Sequence, residues 1–302
     1  MGLPHSLKDD EGAVFMTEKQ DQILKQLNEF CPRLIQQLRK LSEDDWARKS
    51  RCDDWTVKDV MAHLSSVLTN YLIFIDSAKN EENILDDPNS SRDEPGTLDG
   101  KSLAGRLSER AKETSNNFNS KDALINELEL RFERLLDGFN SCQDNQWELP
   151  AYHPVNWVSI QGILLWTLFE STIHAWDALN AVDEKYLVDE GLAQLLPEYF
   201  CTKLINRWFT TADSTERPSQ TLAVNLGTSN GLRIASITGK LDIEELPINS
   251  FDSDAEIHTS PSEFALLITG RKSLSESIED TSTQLTGNQS HVDSFSRWFT
   301  GS

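Results

Sequence analysis

The chain has 302 residues, 38% of them hydrophobic, and carries 49 acidic against 28 basic side chains for a formal charge of −21. That length suits one large or two ordinary domains, and a surface so acidic repels phosphate backbones, which argues against nucleic acid as a partner. No stretch reaches the ~18 consecutive apolar residues of a membrane span, so the expectation is a soluble, cytoplasmic protein without membrane contact, either a monomer or a homodimer.

Residues 1–16 read as a polar, disordered leader. Its opening, Met1-Gly2-Leu3-Pro4-His5-Ser6, fits the loose myristoylation pattern, but nothing basic follows to strengthen an anchor. The four cysteines, Cys31, Cys52, Cys142 and Cys201, are widely spaced and form no Cys-x-x-Cys pair. With no secretory signal, reduced thiols are expected.

Thr17 followed by Gln20 is a capping-box signature. Ile23, Leu27, Phe30, Leu34, Leu38 and Leu41 then recur at steps of three and four, which is one face of a helix. Pro32 falls inside that run and predicts a kink or a break. A second helix follows Trp55, with Thr56 as N-cap, Asp59 at the third helical position, and Val60, His63, Val67 and Tyr71 along one face. Residues 76–100 are polar and carry prolines and glycines, so they form a long loop and a candidate lid.

A third helical region spans about Leu103 to Phe139, broken near Asn116–Ser120, with Leu124, Leu128, Phe132, Leu135 and Phe139 facing inward. The fourth, Ile160–Val182, is apolar almost all round, which marks a buried helix. Four such helices make a bundle over residues 17–185, and bundle cores are where facing helices assemble metal sites. Past it, a helix over Asp189–Phe209 leads to a Pro/Ser/Thr-rich linker, Thr211–Gln220. Thr221–Leu226 and Leu232–Ile237, joined by a Gly-Thr-Ser-Asn-Gly turn, form a hairpin. A strand over Ala255–Thr259 and short helices over Ser262–Thr269 and His291–Phe299 complete a smaller α+β domain, residues 186–302. The fold class is therefore α plus α/β in two domains.

Glu170 and His174 lie four residues apart on the apolar fourth helix, so one turn places them on the same face. A buried carboxylate and imidazole need partners to offset their desolvation. Two readings fit: a Glu–His hydrogen bond bracing the core, or two ligands for one metal ion. His63, on the apolar face of the second helix, supplies a third donor. Two imidazoles and one carboxylate with an open fourth position are a catalytic zinc-type shell, and the same set can hold iron, nickel or cobalt. Asp177, one turn beyond, is placed to orient His174.

The run Cys52-Asp53-Asp54-Trp55-Thr56-Val57-Lys58-Asp59-Val60-Met61-Ala62-His63-Leu64 resembles the "G-W-T-V-x-D-V-x-x-H-L" signature of mycothiol-dependent maleylpyruvate isomerase-like proteins, within the DinB-like helical-bundle superfamily. Glu170-Ser171-Thr172-Ile173-His174-Ala175-Trp176-Asp177 is similar to that family's second signature, "E-x-x-x-H-x-W-D". Phe264 to Arg271 is similar to its "L-A-L-L-L-x-G-R", and Leu285-Thr286-Gly287-Asn288 stands where the family has a Gly-Asp pair. Asp54 departs from the signature glycine and Asn288 from the aspartate. The resemblance covers nearly the whole chain. It implies a four-helix bundle with a sterol-carrier-like C-terminal domain, and a divalent metal held by His63, Glu170 and His174, most simply zinc. It also implies a low-molecular-weight thiol as cofactor and Arg271 as a receiver for a substrate carboxylate, with a surface or interdomain salt bridge as the other role for that arginine.

In such a family the activated thiol adds to a double bond for cis–trans isomerisation, or displaces a leaving group as an S-transferase, on a small electrophilic substrate. A thiol-independent hydrolase or lyase using metal-bound water, and a non-catalytic protein whose metal staples the bundle, are the alternatives. An open coordination position argues against the last, since structural zinc is normally closed by four protein ligands.

Overall fold

The computed structural model describes residues 9–52, 54–86, 92–98, 100–201, 220–228, 230–237, 240–247 and 253–287, together with Phe295, Trp298 and Phe299. Helix α1 (Asp9–Lys40) buries the predicted stripe of Ile23, Leu27, Phe30, Leu34 and Leu38. It begins at Asp9, ahead of the Thr17–Gln20 box, so residues 9–16 are helical and not part of a leader; residues 1–8 lie outside the described ones. The break expected at Pro32 does not occur. A proline inside a helix costs about 3 kcal/mol, but Leu34, Ile35 and Leu38 beyond it are buried at roughly 1.5–3 kcal/mol each, and the core holds the helix through.

After the short α2 (Glu43–Ala47), helix α3 (Val57–Lys79) starts as expected: the Thr56 hydroxyl accepts from the Asp59 N–H while the Asp59 carboxylate accepts from the Thr56 N–H. The third helical region does divide, into α4 (Gly100–Asn116) and α5 (Lys121–Asn140), with Ser120 capping α5. Helix α6 (Ile160–Leu179) is buried at every position except Gly162 and Glu170. Helix α3 packs against α4, α5 and α6, and α1 against α5 and α6. A two-stranded antiparallel pair, β1 (Pro150–Ala151) and β2 (Val158–Ser159), lies between α5 and α6 in the chain.

The single helix expected over Asp189–Phe209 is instead two short ones, α7 (Glu190–Ala193) and α8 (Leu196–Phe200), with 202–209 and the linker up to Ser219 outside the described residues. Pro197 stands in the first turn of the second of these, where its missing N–H leaves no helical bond unmade. The C-terminal sheet has the order β5-β4-β3-β6-β7, built from β3 (Gln220–Asn225), β4 (Asn230–Ile237), β5 (Lys240–Pro247), β6 (Ala255–His258) and β7 (Gln284–Gly287). The β3–β6 pair is parallel and the others are antiparallel. Alternate residues, Leu222 and Val224, Leu232 and Ile234, Leu241 and Ile243, are buried, which is the period-two pattern of a sheet with one covered face. Helices α9 (Pro261–Ile268) and α10 (Leu274–Glu279) follow β6. The helix expected over His291–Phe299 falls mostly outside the described residues, though Phe295, Trp298 and Phe299 are buried.

The helical and sheet parts share one continuous apolar core. An aromatic ladder runs from the site helix outward: Phe169 of α6 stacks on Tyr199 at 4.4 Å, Tyr199 meets Phe200 at 5.7 Å, and Phe200 meets Phe264 of α9 at 5.6 Å. Among the described residues no helix is long and apolar enough to cross a membrane.

Candidate metal centre

His63 comes from the second turn of α3, fixed in register by the Thr56 cap, and Glu170 and His174 come from consecutive turns of α6. Packing of α3 on α6 brings all three together. Glu170 Oε2 lies 3.3 Å from His63 Nε2 and 3.0 Å from His174 Nε2. The two imidazole rings meet edge to face with centroids 4.9 Å apart. The three donor atoms all lie within 4.8 Å of one another. Bonds of about 2.0–2.2 Å to a tetrahedral ion put neighbouring donors about 3.3 Å apart, so these contacts have the length of tetrahedral edges. The donor set and its spacing fit a divalent metal.

Asp177 is fully buried, and its Oδ2 lies 3.0 Å from His174 Nδ1. Holding a proton on Nδ1 leaves Nε2 as the donor atom for a metal. Arg271 closes the far side. Its Nε donates to Asp177 Oδ1 at 3.1 Å and its Nη2 to Oδ2 at 2.9 Å, a two-pronged ion pair linking the C-terminal part to α6. A helix-ending turn aims it there: Gly270 takes φ 70°, the Gly270 N–H donates to the Leu267 carbonyl, and the Arg271 N–H to that of Leu266. The guanidinium also donates to the Thr269 carbonyl and has Nη2 3.8 Å from Cys52 Sγ. Arg271 thus forms an interdomain salt bridge with a buried aspartate. Cys52, His174 and Asp177 form a second set of ligand-type atoms within 4.8 Å, but Asp177 already carries the Arg271 cation, which opposes a metal there.

Burial would raise the Glu170 carboxyl, but hydrogen bonds from both imidazoles hold it well below the usual range. Burial pushes His63 below its ordinary value, outweighing the hydrogen bond to Glu170. His174 is pulled down by burial too, yet Asp177 and Glu170 together raise it to about 9. Asp177 stays below the usual carboxylate range because the charge of Arg271 and the hydrogen bonds from His174 and Arg271 outweigh its burial. Trp55 packs beside the two histidines, its ring 4.8 Å from His63 and 6.1 Å from His174, while its indole N–H donates to Ser108 of α4 at 3.0 Å. The departure at Asp54 is a surface matter, an ion pair with Lys49 at 3.6 Å; Asn288 lies outside the described residues.

The His63 and Glu170 side chains form the floor of a cavity of about 90 Å³ that opens to solvent. Loop residues Arg92, Asp93 and Leu98 and the α4 face of Leu103, Arg106, Leu107 and Arg110 make its rim, and Asn70, Tyr71 and Phe74 of α3 with Tyr152 and His153 make its wall. Arg92, Asp93 and Leu98 of the segment expected as a loop therefore line the cavity, while α3 claims its first residues, up to Lys79. Arg92 donates to Asn70 Oδ1 at 3.1 Å and sits over Phe74, Arg106 pairs with Asp93, and Arg110 has no hydrogen bond or ion pair among the described residues. The arginines and His153 were not singled out from the sequence. The available signal was Leu103, Arg106, Leu107 and Arg110 at helical spacing, one face of α4 mixing apolar and cationic residues.

The sequence model of the mycothiol maleylpyruvate isomerase N-terminal domain matches residues 27–179, half of the chain and all three donor residues. The chain belongs to this family. Crystal structures of the mycothiol-dependent maleylpyruvate isomerase, one wild type and one a histidine-to-alanine mutant, superpose with TM-scores of 0.53 and 0.54 at 14% identity. Each alignment covers 84% of this chain and 90% of the isomerase, so the likeness of fold extends beyond residues 27–179. No functionally curated protein matches the sequence.

Proposed function

We propose that the protein is a metal- and thiol-dependent isomerase of small, unsaturated, carboxylated substrates, resembling maleylpyruvate isomerase, with thiol S-transfer as the related reaction the same groups could serve. The observation that carries this reading is the convergence of His63, Glu170 and His174, two of which, His63 and Glu170, line a cavity rimmed by three arginines. A divalent metal held there, zinc by donor type, would keep a thiol cofactor as its thiolate, ready for reversible addition to a conjugated double bond, whereas a free thiol has a pKa near ~8.5. The chain's own groups do the rest. Asp177, locked by Arg271, keeps His174 in one tautomer and orientation. Leu98, Leu103 and Leu107 limit water, and Arg92, Arg106 and Arg110 offer guanidinium groups to carboxylates of the substrate. None of the three metal-site side chains needs to act as an acid or base.

Metal analysis of the wild-type protein and of Glu170→Ala tests the site. One metal per chain in the first, lost in the second with helical circular dichroism retained, is the expected result; retention of the full metal complement by Glu170→Ala removes the assignment. Cobalt-substituted protein titrated with mycothiol tests the thiol, through a new sulfur-to-metal absorption band. A spectrum indifferent to the thiol leaves only a thiol-independent metalloenzyme.

A further inference from the structure

One wall of the cavity carries a hydrogen-bonded pair that the metal centre does not use. His153 is buried in the segment between β1 and β2, its ring stacked on Trp166 at 4.2 Å. The Val155 N–H donates to His153 Nδ1 at 3.3 Å, so the single ring proton of the neutral imidazole belongs on Nε2. Burial pushes His153 down to about 3, which keeps it neutral. Nε2 lies 3.3 Å from the Tyr71 hydroxyl, which must therefore accept that proton's hydrogen bond.

The tyrosine's own proton is then left without a partner among the described residues, on a side chain that is 3% exposed and lines the same cavity as His63 and Glu170. Tyr71 stands eight residues after His63, roughly 12 Å along the same face of α3. Helical side chains lean toward the N-terminus, which brings the hydroxyl back toward the metal end of the cavity. Burial and the charge of Glu170 hold the phenol well above its ordinary value, so the group is a donor and not a phenolate. A buried hydroxyl whose lone pair is engaged by a fixed histidine has its donor direction set before any ligand arrives.

We infer that Tyr71 is a catalytic hydrogen-bond donor to an oxygen that gains negative charge in the substrate, and that His153 is the residue that positions it. This rests on the reaction proposed above. When the sulfur of a thiolate adds to a double bond conjugated to a carbonyl, one C–S bond forms and the displaced π pair moves onto the carbonyl oxygen. Rotation about the new single bond follows, and return of that pair restores the double bond and expels the thiolate. No proton or oxidant is consumed. The only demand on the protein is to stabilise the transient oxyanion, and the Tyr71 hydroxyl is a pre-aimed group for that purpose.

The test uses the full-length, zinc-loaded protein and two probes. Oxalate, a planar dianion that copies the enolate form of a 2-oxo acid, reports on the donor without any turnover. Calorimetry is expected to show oxalate bound about tenfold or more weakly by Tyr71→Phe and His153→Phe, with metal content unchanged. His153→Gln, whose side-chain amide can still donate to Tyr71, should restore most of the affinity. In the mycothiol and maleylpyruvate assay, Tyr71→Phe should lower kcat about 10²-fold while KM moves little. Equal oxalate affinity in wild type and Tyr71→Phe, or no oxalate binding at all, overturns the inference. Wild-type protein that fails to isomerise maleylpyruvate but keeps the oxalate pattern sinks the proposed reaction and leaves the donor assignment standing.

Discussion

The floor and the rim of the cavity are built on opposite principles. The floor, His63 and Glu170, is continued inward by His174, Asp177 and Arg271; all are packed into the core, with Asp177 fully buried and His63 only 6% exposed, and each is matched by another. On the rim, Arg106 is 47% exposed and Arg110 is unpaired among the described residues. A chain of buried, mutually satisfied charges holds a fixed geometry, which suits a resident ion. Exposed cations on a loop and an outer helix suit a ligand that comes and goes. The fold assigns the two tasks to different elements: the floor belongs to the central helices α3 and α6, the rim to α4 and the loop before it.

If this contrast is right, the largest effect comes from breaking the floor at its most buried contact. Arg271→Met should cost about 3–5 kcal/mol, because it takes the two-pronged cation from the fully buried Asp177 carboxylate and leaves it only the His174 imidazole. Urea denaturation of the metal-free protein measures it. Adding Asp177→Asn should recover a large part of the loss, since the buried carboxylate charge goes with it. A cost below about 1 kcal/mol for Arg271→Met would put the pair in the class of surface ion pairs and abolish the distinction between floor and rim.

The next effect is a pH dependence of opposite sign with and without metal. In the metal-free protein His174 is raised to about 9 from an ordinary 6.5. Its contribution to stability is therefore fully present below about 6.5 and is lost as pH rises through about 9, on the order of 3 kcal/mol in all. A bound metal needs unprotonated Nε2, so binding releases a proton and strengthens as pH rises. Urea midpoints at pH 6.5 and pH 9, with chelator and with zinc, should move in opposite directions. Parallel movement would mean that His174 is not a ligand.

The same contrast decides what could be read from sequence. The floor was legible because polar residues on an apolar helix are conspicuous: Glu170, His174 and Asp177 interrupt a run that otherwise has nothing to do with water. Helix positions followed from apolar spacing, and the division between α4 and α5 from its turn residues. The rim was not legible, because an arginine on an exposed helix such as α4 looks the same whether it faces solvent or a cavity mouth. His153 sits in an irregular segment, Tyr152-His153-Pro154, that has no period to assign it a face. Strand β5 escaped notice since Leu241 and Ile243 alternate with the charged Asp242 and Glu244, a stretch whose acidity hides its buried side. Arg271 was located, but the αL turn at Gly270 that directs it onto Asp177 depends on where α9 lies against α6, which no local pattern encodes.

The smallest expected effect falls on the rim and sharpens the comparison from the other side. Arg110→Ala should raise KM about tenfold in the mycothiol and maleylpyruvate assay, the size of one lost charge-assisted contact. Zinc content should not change, and stability should stay within about 0.5 kcal/mol, as for other surface substitutions. Salt provides the independent reading. Exposed charges are screened over about 8 Å at physiological ionic strength, and the chain's −21 charge otherwise repels an anionic substrate. Wild-type KM should therefore climb steeply with added salt, and the slope should flatten in Arg110→Ala, while metal affinity at the buried floor responds little in either protein. A salt slope that survives the substitution would place the carboxylate contact on Arg92 or Arg106 instead, and one absent from the wild type would show that the rim does not recruit an anion.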